Sequence, residues 1–220
     1  MAIKILSDRQ ESFLREVAKN PGLSQNFYLT GGTALAGFYL RHRYSEDLDF
    51  FSEIEFTPLN IDVFLKQVKL RLGFDKLDYQ QSFNRNLYFL HFGGEVLKIE
   101  FTYFPFTRID ATVIERGLQI DSLKDIAVNK LFSIYQRSVA RDYIDLYCII
   151  KQENFTISDL ISQARLKFDF AIDPLQLGTQ FMKSEGVNDV PRLIQNIRPE
   201  EWREFFREEA KKLKPEILKP

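Results

Sequence analysis

The chain predicts an α/β (α+β) fold: a mixed sheet with helices over residues 1–120, followed by a helical part over 121–220. Three observations carry that prediction. The apolar run Tyr28-Leu29-Thr30 enters a two-glycine turn at Gly31-Gly32, a helical stretch follows, and the next strand-like segment reads Asp47-Leu48-Asp49-Phe50-Phe51. Residues 85–92 and 95–104 read as strands around Gly93-Gly94, the pattern of a hairpin. From about Asp121 the apolar spacing lengthens from the period of a strand to that of a helix, so a domain boundary falls there, with the second part expected to pack against the site of the first.

The elements follow in order. Ser7-Asp8-Arg9-Gln10 has the form of a capping box, and Phe13, Leu14 and Val17 before Asn20-Pro21-Gly22 give a first helix with clear stop signals. Residues 26–30 read as a strand, 33–42 as a helix and 47–51 as a strand. The segment 60–72 carries Ile61, Phe64, Leu65, Val68 and Leu72 on one helical face. Strands are expected at 74–81, 85–92 and 95–104, and a strand or turn near 112–120. Ser122 is placed as the N-cap of a helix to about Arg137, with further helices at 139–151, 157–168, 173–184 and 199–213.

Composition narrows the function classes. The 220 residues are 45% hydrophobic and include 21 Phe and nine Tyr, which favours a packed aromatic interior over disorder. Thirty basic residues stand against 31 acidic ones, so a polyanionic partner must meet a local patch and not a global field. The single cysteine, Cys148, excludes an intramolecular disulfide framework, and two histidines make a histidine-rich metal site implausible. The first residues lack the apolar stretch of a signal peptide, and no run approaches the ~20 apolar residues of a membrane span. A cytoplasmic protein without membrane contact is the expectation.

The chemistry concentrates in the acids. Side chains at i and i+2 of a strand share a face, about 7 Å apart at their roots, so Asp47 and Asp49 are placed to close on a hard cation such as Mg²⁺ or Mn²⁺. In the strand after Gly93-Gly94, Leu97, Ile99, Phe101 and Tyr103 form one face, and Lys98, Glu100 and Thr102 lie on the other. If that strand lies beside the Asp47 strand, Glu100 joins the two aspartates, and three carboxylates suit a metal-dependent phosphoryl transfer.

The ordered set of Gly-Gly, Asp-x-Asp and an apolar-flanked acid (Ile99-Glu100-Phe101) resembles the DNA polymerase beta-like nucleotidyltransferase superfamily. More narrowly, the chain resembles the AbiEii-like nucleotidyltransferase toxins in three places: Gly31-Gly32-Thr33-Ala34-Leu35, the Arg-x-Ser-x-Asp-Leu-Asp-Phe run of 43–50, and the Lys130…Arg137…Arg141-Asp142-x-x-Asp145-Leu146 segment. The resemblance covers residues 25–150 by motif. It implies a nucleotidyltransferase-like sheet, an NTP substrate, transfer to a tRNA or protein acceptor, and a cognate antitoxin.

Each candidate also has a plainer reading. Gly31 and Gly32 serve either a tight turn or the close approach of a triphosphate to backbone N–H groups, and Thr33 either caps the helix or joins that nucleotide contact. Asp47 and Asp49 are either paired strand-end acids or metal ligands, and Glu100 either an edge acid or the third ligand. Arg41 and Arg43 form the basic end of a helix, or one of them reaches a phosphate; Lys98 is a phosphate contact or an ion-pair member. Lys130 falls in or beside the buried stripe Ile126, Ala127, Leu131 and Ile134, so it either pairs with a buried acid or neutralises the triphosphate. Asp142 either activates the acceptor or orients Lys130. The leading expectation is Mg²⁺-dependent transfer of a nucleotidyl group to a hydroxyl, with Asp47, Asp49, Glu100, Lys130 and Asp142 catalytic. The rivals are a small-molecule, drug-modifying nucleotidyltransferase and a non-catalytic nucleotide- or antitoxin-binding module.

Overall fold

The structure is a computed structural model and describes residues 4–217. It divides into two compact units that interleave along the chain. The first runs to Tyr39 and resumes over Ser45–Thr107 and Ala111–Ser122; the second takes Leu40–Tyr44, Arg108–Asp110 and the chain from Leu123 onward.

The first unit contains strands β1 (Tyr28–Thr30), β2 (Leu48–Ser52), β3 (Lys76–Ser82), β4 (Arg85–Phe92), β5 (Glu95–Tyr103), β6 (Val113–Glu115) and β7 (Leu118–Ile120). Its helices are α1 (Asp8–Ala18), α2 (Pro21–Ser24), α3 (Gly31–Ala34) and α4 (Pro58–Leu72). Among the described residues the strands form one mixed sheet in the order β3-β4-β5-β2-β1-β7-β6. Strand β2 runs antiparallel to β1 and parallel to β5, which puts Thr30 opposite Asp49 and Asp49 opposite Glu100.

Side-chain alternation explains why one sheet face is core. Leu48 and Phe50 of β2, Leu97, Ile99 and Phe101 of β5, and Tyr88 and Leu90 of β4 are buried. Phe50 stacks on Phe101 with ring centroids 5.0 Å apart, and Phe13 of α1 meets Phe64 of α4 edge-on at 5.9 Å. Ser7 and Gln10 make the reciprocal capping box that starts α1. Two-residue turns close the β4–β5 and β6–β7 hairpins; in the second, Arg116 and Gly117 both have positive φ (52° and 78°), the geometry that matches strand twist.

The helix after the glycine turn departs from expectation. It begins at Gly31, directly on the strand end, continues as a π-helix over Leu35–Leu40, and stops short of residue 42. Gly31 has φ +69°, so the chain enters the helix without a connecting residue. The stop comes where Arg41 takes φ +51° and the chain joins the second unit, in which Ile194 and Tyr44 N–H groups donate to the carbonyls of His42 and Arg192, each at 2.9 Å.

The second unit is helical: α5 (Leu123–Gln136), α6 (Ala140–Glu153), α7 (Ile157–Phe168), α8 (Pro174–Met182) and α9 (Pro199–Ile217). Tyr143 stacks on Trp202 at 6.1 Å and meets Phe206 edge-on at 5.0 Å, fixing α6 to α9. A fully buried pair, Lys167 Nζ to Asp125 Oδ1 at 2.6 Å, joins α7 to α5, and Asp125 also accepts the N–H groups of Ile109 and Asp110.

Candidate active site

In the first unit the acids lie on the sheet face opposite the aromatic core. Asp49 points outward from β2, since its neighbours Leu48 and Phe50 are buried inward. Asp47 stands just before β2 and not within it. Its approach is held by Gln10, whose Nε2 donates to the carbonyls of Ser45 and Glu46. Asp47 Oδ2 accepts Lys98 Nζ at 2.8 Å, so Lys98 is an ion-pair partner here. Glu100 is 5% exposed. Its Oε1 accepts Arg85 Nε and Thr102 Oγ1, each at 2.7 Å, and its Oε2 accepts Arg85 Nη2 at 2.6 Å. Burial raises the Glu100 carboxyl, but the Arg85 and Thr102 hydrogen bonds and the nearby positive charge bring it below the usual range.

The glycine turn abuts these acids. A Cβ on Gly31 would lie 2.6 Å from Asp49 Oδ2, so only glycine lets backbone and carboxylate approach this closely. Thr33 corrects the expectation of a helix cap: it is fully buried, its hydroxyl donates to the Asp47 carbonyl, and the N-cap position belongs to Thr30. Thr33 thus ties the turn to the acid. Thr30 Oγ1 in turn donates to Asp121 Oδ2 at 2.6 Å.

The second unit gathers the other candidates in one buried ionic cluster. Lys130 Nζ lies 2.8 Å from Asp142 Oδ1 and 2.7 Å from Asp145 Oδ2. Arg137 adds a bond to Asp142 at 2.9 Å, and His42 Nε2 lies 2.7 Å from Asp145. Arg43 belongs to the same cluster. It is buried, with Nε and Nη2 on the two Asp145 oxygens at 2.6 and 2.8 Å and Nη1 on the Tyr44 carbonyl at 2.8 Å, so its fork is engaged inside the unit. Both aspartates are wholly buried. Burial would raise their carboxyls, yet the cations reverse it: Asp142 lies below the ordinary value, held by Lys130 and Arg137, and Asp145 well below, held by Lys130 and Arg43.

Among the described residues no group of three or more His, Cys, Asp or Glu side chains is placed to hold a metal ion. Both Glu100 oxygens are engaged by Arg85, and one Asp47 oxygen by Lys98. Asp47 and Asp49 are hard oxygen donors beside a glycine turn, the chemistry that suits a divalent cation. Sequence reasoning missed Arg85 and His42. Arg85 had one signal: it opens the strand that pairs with the Glu100 strand, two residues from the position opposite Glu100.

The structure is similar to a putative nucleotidyltransferase of Helicobacter pylori (TM-score 0.63, 23% identity, 98% of this chain and 100% of that one). It is also similar to JHP933 from Helicobacter pylori (TM-score 0.61, 23% identity, 94% and 90%). The fold is shared more distantly with MenT4, a nucleotidyltransferase toxin of Mycobacterium tuberculosis (TM-score 0.51, 14% identity, 95% and 86%). An uncharacterized protein of Aquifex aeolicus is 28% identical over 213 residues, 94% of this chain and 97% of that protein. A model of the family described as nucleotidyl transferase AbiEii toxin, type IV toxin–antitoxin system, matches residues 12–218. The chain belongs to the AbiEii nucleotidyltransferase toxin family.

Proposed function

We propose that the protein transfers a nucleotidyl group from an NTP to an acceptor hydroxyl on tRNA or protein, releasing pyrophosphate, as the toxin of a pair with a cognate antitoxin in the cytoplasm. The observation that carries this reading is the contact of Gly31 with Asp49: a glycine turn at a helix start, where backbone N–H groups can approach phosphate, touches an outward-facing acid of a neighbouring strand. In this reading Asp47 and Asp49 hold Mg²⁺ (or Mn²⁺), which when bound supplies positive charge for the phosphates and for the departing pyrophosphate.

The chain's own groups do the rest. Gly31 and Gly32 admit the triphosphate, and Thr33 fixes the Asp47 backbone so that the acid keeps its place. Glu100 borders Asp49 in the next strand. Lys130 and Asp142, paired at 2.8 Å within the helical unit, keep the roles that the family resemblance implies, charge for the phosphates and support of that charge. Family membership supports the reaction class.

Asp49→Asn keeps the side-chain shape and removes a ligand charge. Purified protein incubated with each α-labelled NTP, Mg²⁺ and total cellular RNA or protein should label an acceptor, and the variant should do so slower by orders of magnitude with an unchanged melting temperature. Overexpression of the wild type should arrest growth, and the variant should not. Wild-type rates from Asp49→Asn would overturn the assignment.

A further inference from the structure

We propose that Arg85 binds the polyphosphate of the NTP, and that Glu100 is the positioning residue that aims it and not a third metal ligand. The inference rests on the nucleotidyltransferase reading and deepens it. Alternation and register set the geometry. Asp49 of β2 lies opposite Glu100 of β5, Glu100 lies opposite Leu87 of β4, and Arg85, two residues from Leu87, falls on the same face. An acid, a second acid and a guanidinium therefore form a row across three adjacent strands.

Within that row the two members of the pair are unlike. Glu100 is nearly buried and its oxygens are engaged by Arg85 and Thr102, whereas the Arg85 side chain is 52% exposed. The Nε–Nη2 edge of the guanidinium faces Glu100, and the Nη1 edge lies outside the pair. A two-point clamp fixes a planar group in orientation as well as place. The result is a preset cation with donors to spare, and the charge of Asp49 also bears on it. Phosphate is the ligand class that suits such a fork. The polyphosphate of the NTP is its source because the row ends at Asp49, which also touches the Gly31 turn.

The test uses calorimetric binding of a non-hydrolysable NTP analogue with Mg²⁺, Mn²⁺ binding by electron paramagnetic resonance, and melting temperature as a control for folding. Arg85→Ala should weaken analogue binding about 10-fold or more, the scale of one charge-assisted hydrogen bond, and Arg85→Lys should recover only part of it. Glu100→Gln should also weaken the analogue, while Mn²⁺ binding without nucleotide should weaken only in part, by the loss of a neighbouring charge, and that part should shrink as added salt screens it. Analogue affinity unchanged in Arg85→Ala, or Mn²⁺ binding lost in Glu100→Gln, overturns the proposal. If Arg85→Ala binds the analogue as the wild type does and Asp49→Asn does not, only the Arg85 assignment has failed. If the wild type binds no nucleotide at all, both readings fall.

Discussion

The two units treat their charges in opposite ways. On the sheet face of the first, acids are paired one by one with cations that stay in contact with solvent: Lys98 with Asp47, and Arg85 with Glu100. In the helical unit, Asp142 and Asp145 are wholly buried and share Lys130, Arg43, Arg137 and His42 in one connected cluster. A pair exposed on both sides, such as Lys98 with Asp47, gains little from its attraction, because water and salt screen it. A buried pair has lost its water, and removing one member leaves the other uncompensated. The difference separates a sheet face whose pairs meet solvent from a helical cluster whose charges hold one another in place.

The largest expected effect belongs to the helical unit. Asp145→Ala removes the acid that Arg43, Lys130 and His42 all address, so the buried Arg43 loses the two-point bond of its fork and Lys130 keeps only Asp142 of its two acids. It should cost about 3–5 kcal/mol of stability, read as the shift in urea unfolding. A loss below about 1 kcal/mol, the scale of an exposed pair, would break the distinction between the two regions.

Lys130→Met comes next. Asp142 keeps Arg137 and Asp145 keeps Arg43 after the change, so its cost should fall below that of Asp145→Ala. Nucleotide transfer per folded molecule should also drop. Stability lost with transfer intact in the folded fraction would make Lys130 a structural bridge alone.

The acid response sharpens the same contrast. Asp142 and Asp145 have folded-state values below the ordinary 3.8, so their contribution is fully present above that value and is lost as pH falls through the depressed folded values. Stability owed to these two groups should be flat from neutral pH down to about 5, a pH unit above the unfolded value, and then decline. The gap between wild type and Asp145→Ala should narrow over that decline. A gap constant to the lowest pH at which both proteins still fold would show that burial, and not the cluster's charge, sets the difference.

How much of this was legible in the chain follows from the range of each signal. Gly31, Asp47, Asp49 and Glu100 were readable because turn chemistry and strand alternation are local, and their register followed once β2 and β5 were taken as neighbours. Asp142 and Asp145, on so apolar a segment, announced that they must be paired, and Lys130 was among the partners named. Which cation met which acid was not legible. Arg43 lies 102 residues from Asp145, and only the tertiary path of the Leu40–Tyr44 strap brings it there. The one signal for Arg85, its place at the start of the strand that pairs with the Glu100 strand, counts only once the register is known; until then an arginine at a strand start reads as solvated. Thr33 was misread for a similar cause: the helix begins two residues earlier than its pattern indicates, because Gly31 removes the need for a connecting turn.

The smallest effect on stability should come from Lys98→Met, which is the converse of Asp145→Ala. Lys98 and Asp47 are each about one-third exposed, so their pair should be worth no more than about 1 kcal/mol. The long apolar stem of Met also keeps the packing of the lysine's own methylenes. The melting temperature should therefore move only a few degrees. Asp47, however, loses the cation that now neutralises it, and a carboxylate without a resident partner attracts a divalent ion more strongly. Mn²⁺ binding should tighten in the variant, and the gain should shrink as added salt screens the competing charge. Weaker Mn²⁺ binding would mean that Lys98 orients Asp47 for the metal. A stability loss on the scale of Asp145→Ala would mean that the sheet face is as fixed as the helical cluster, and the contrast between the two regions would fail.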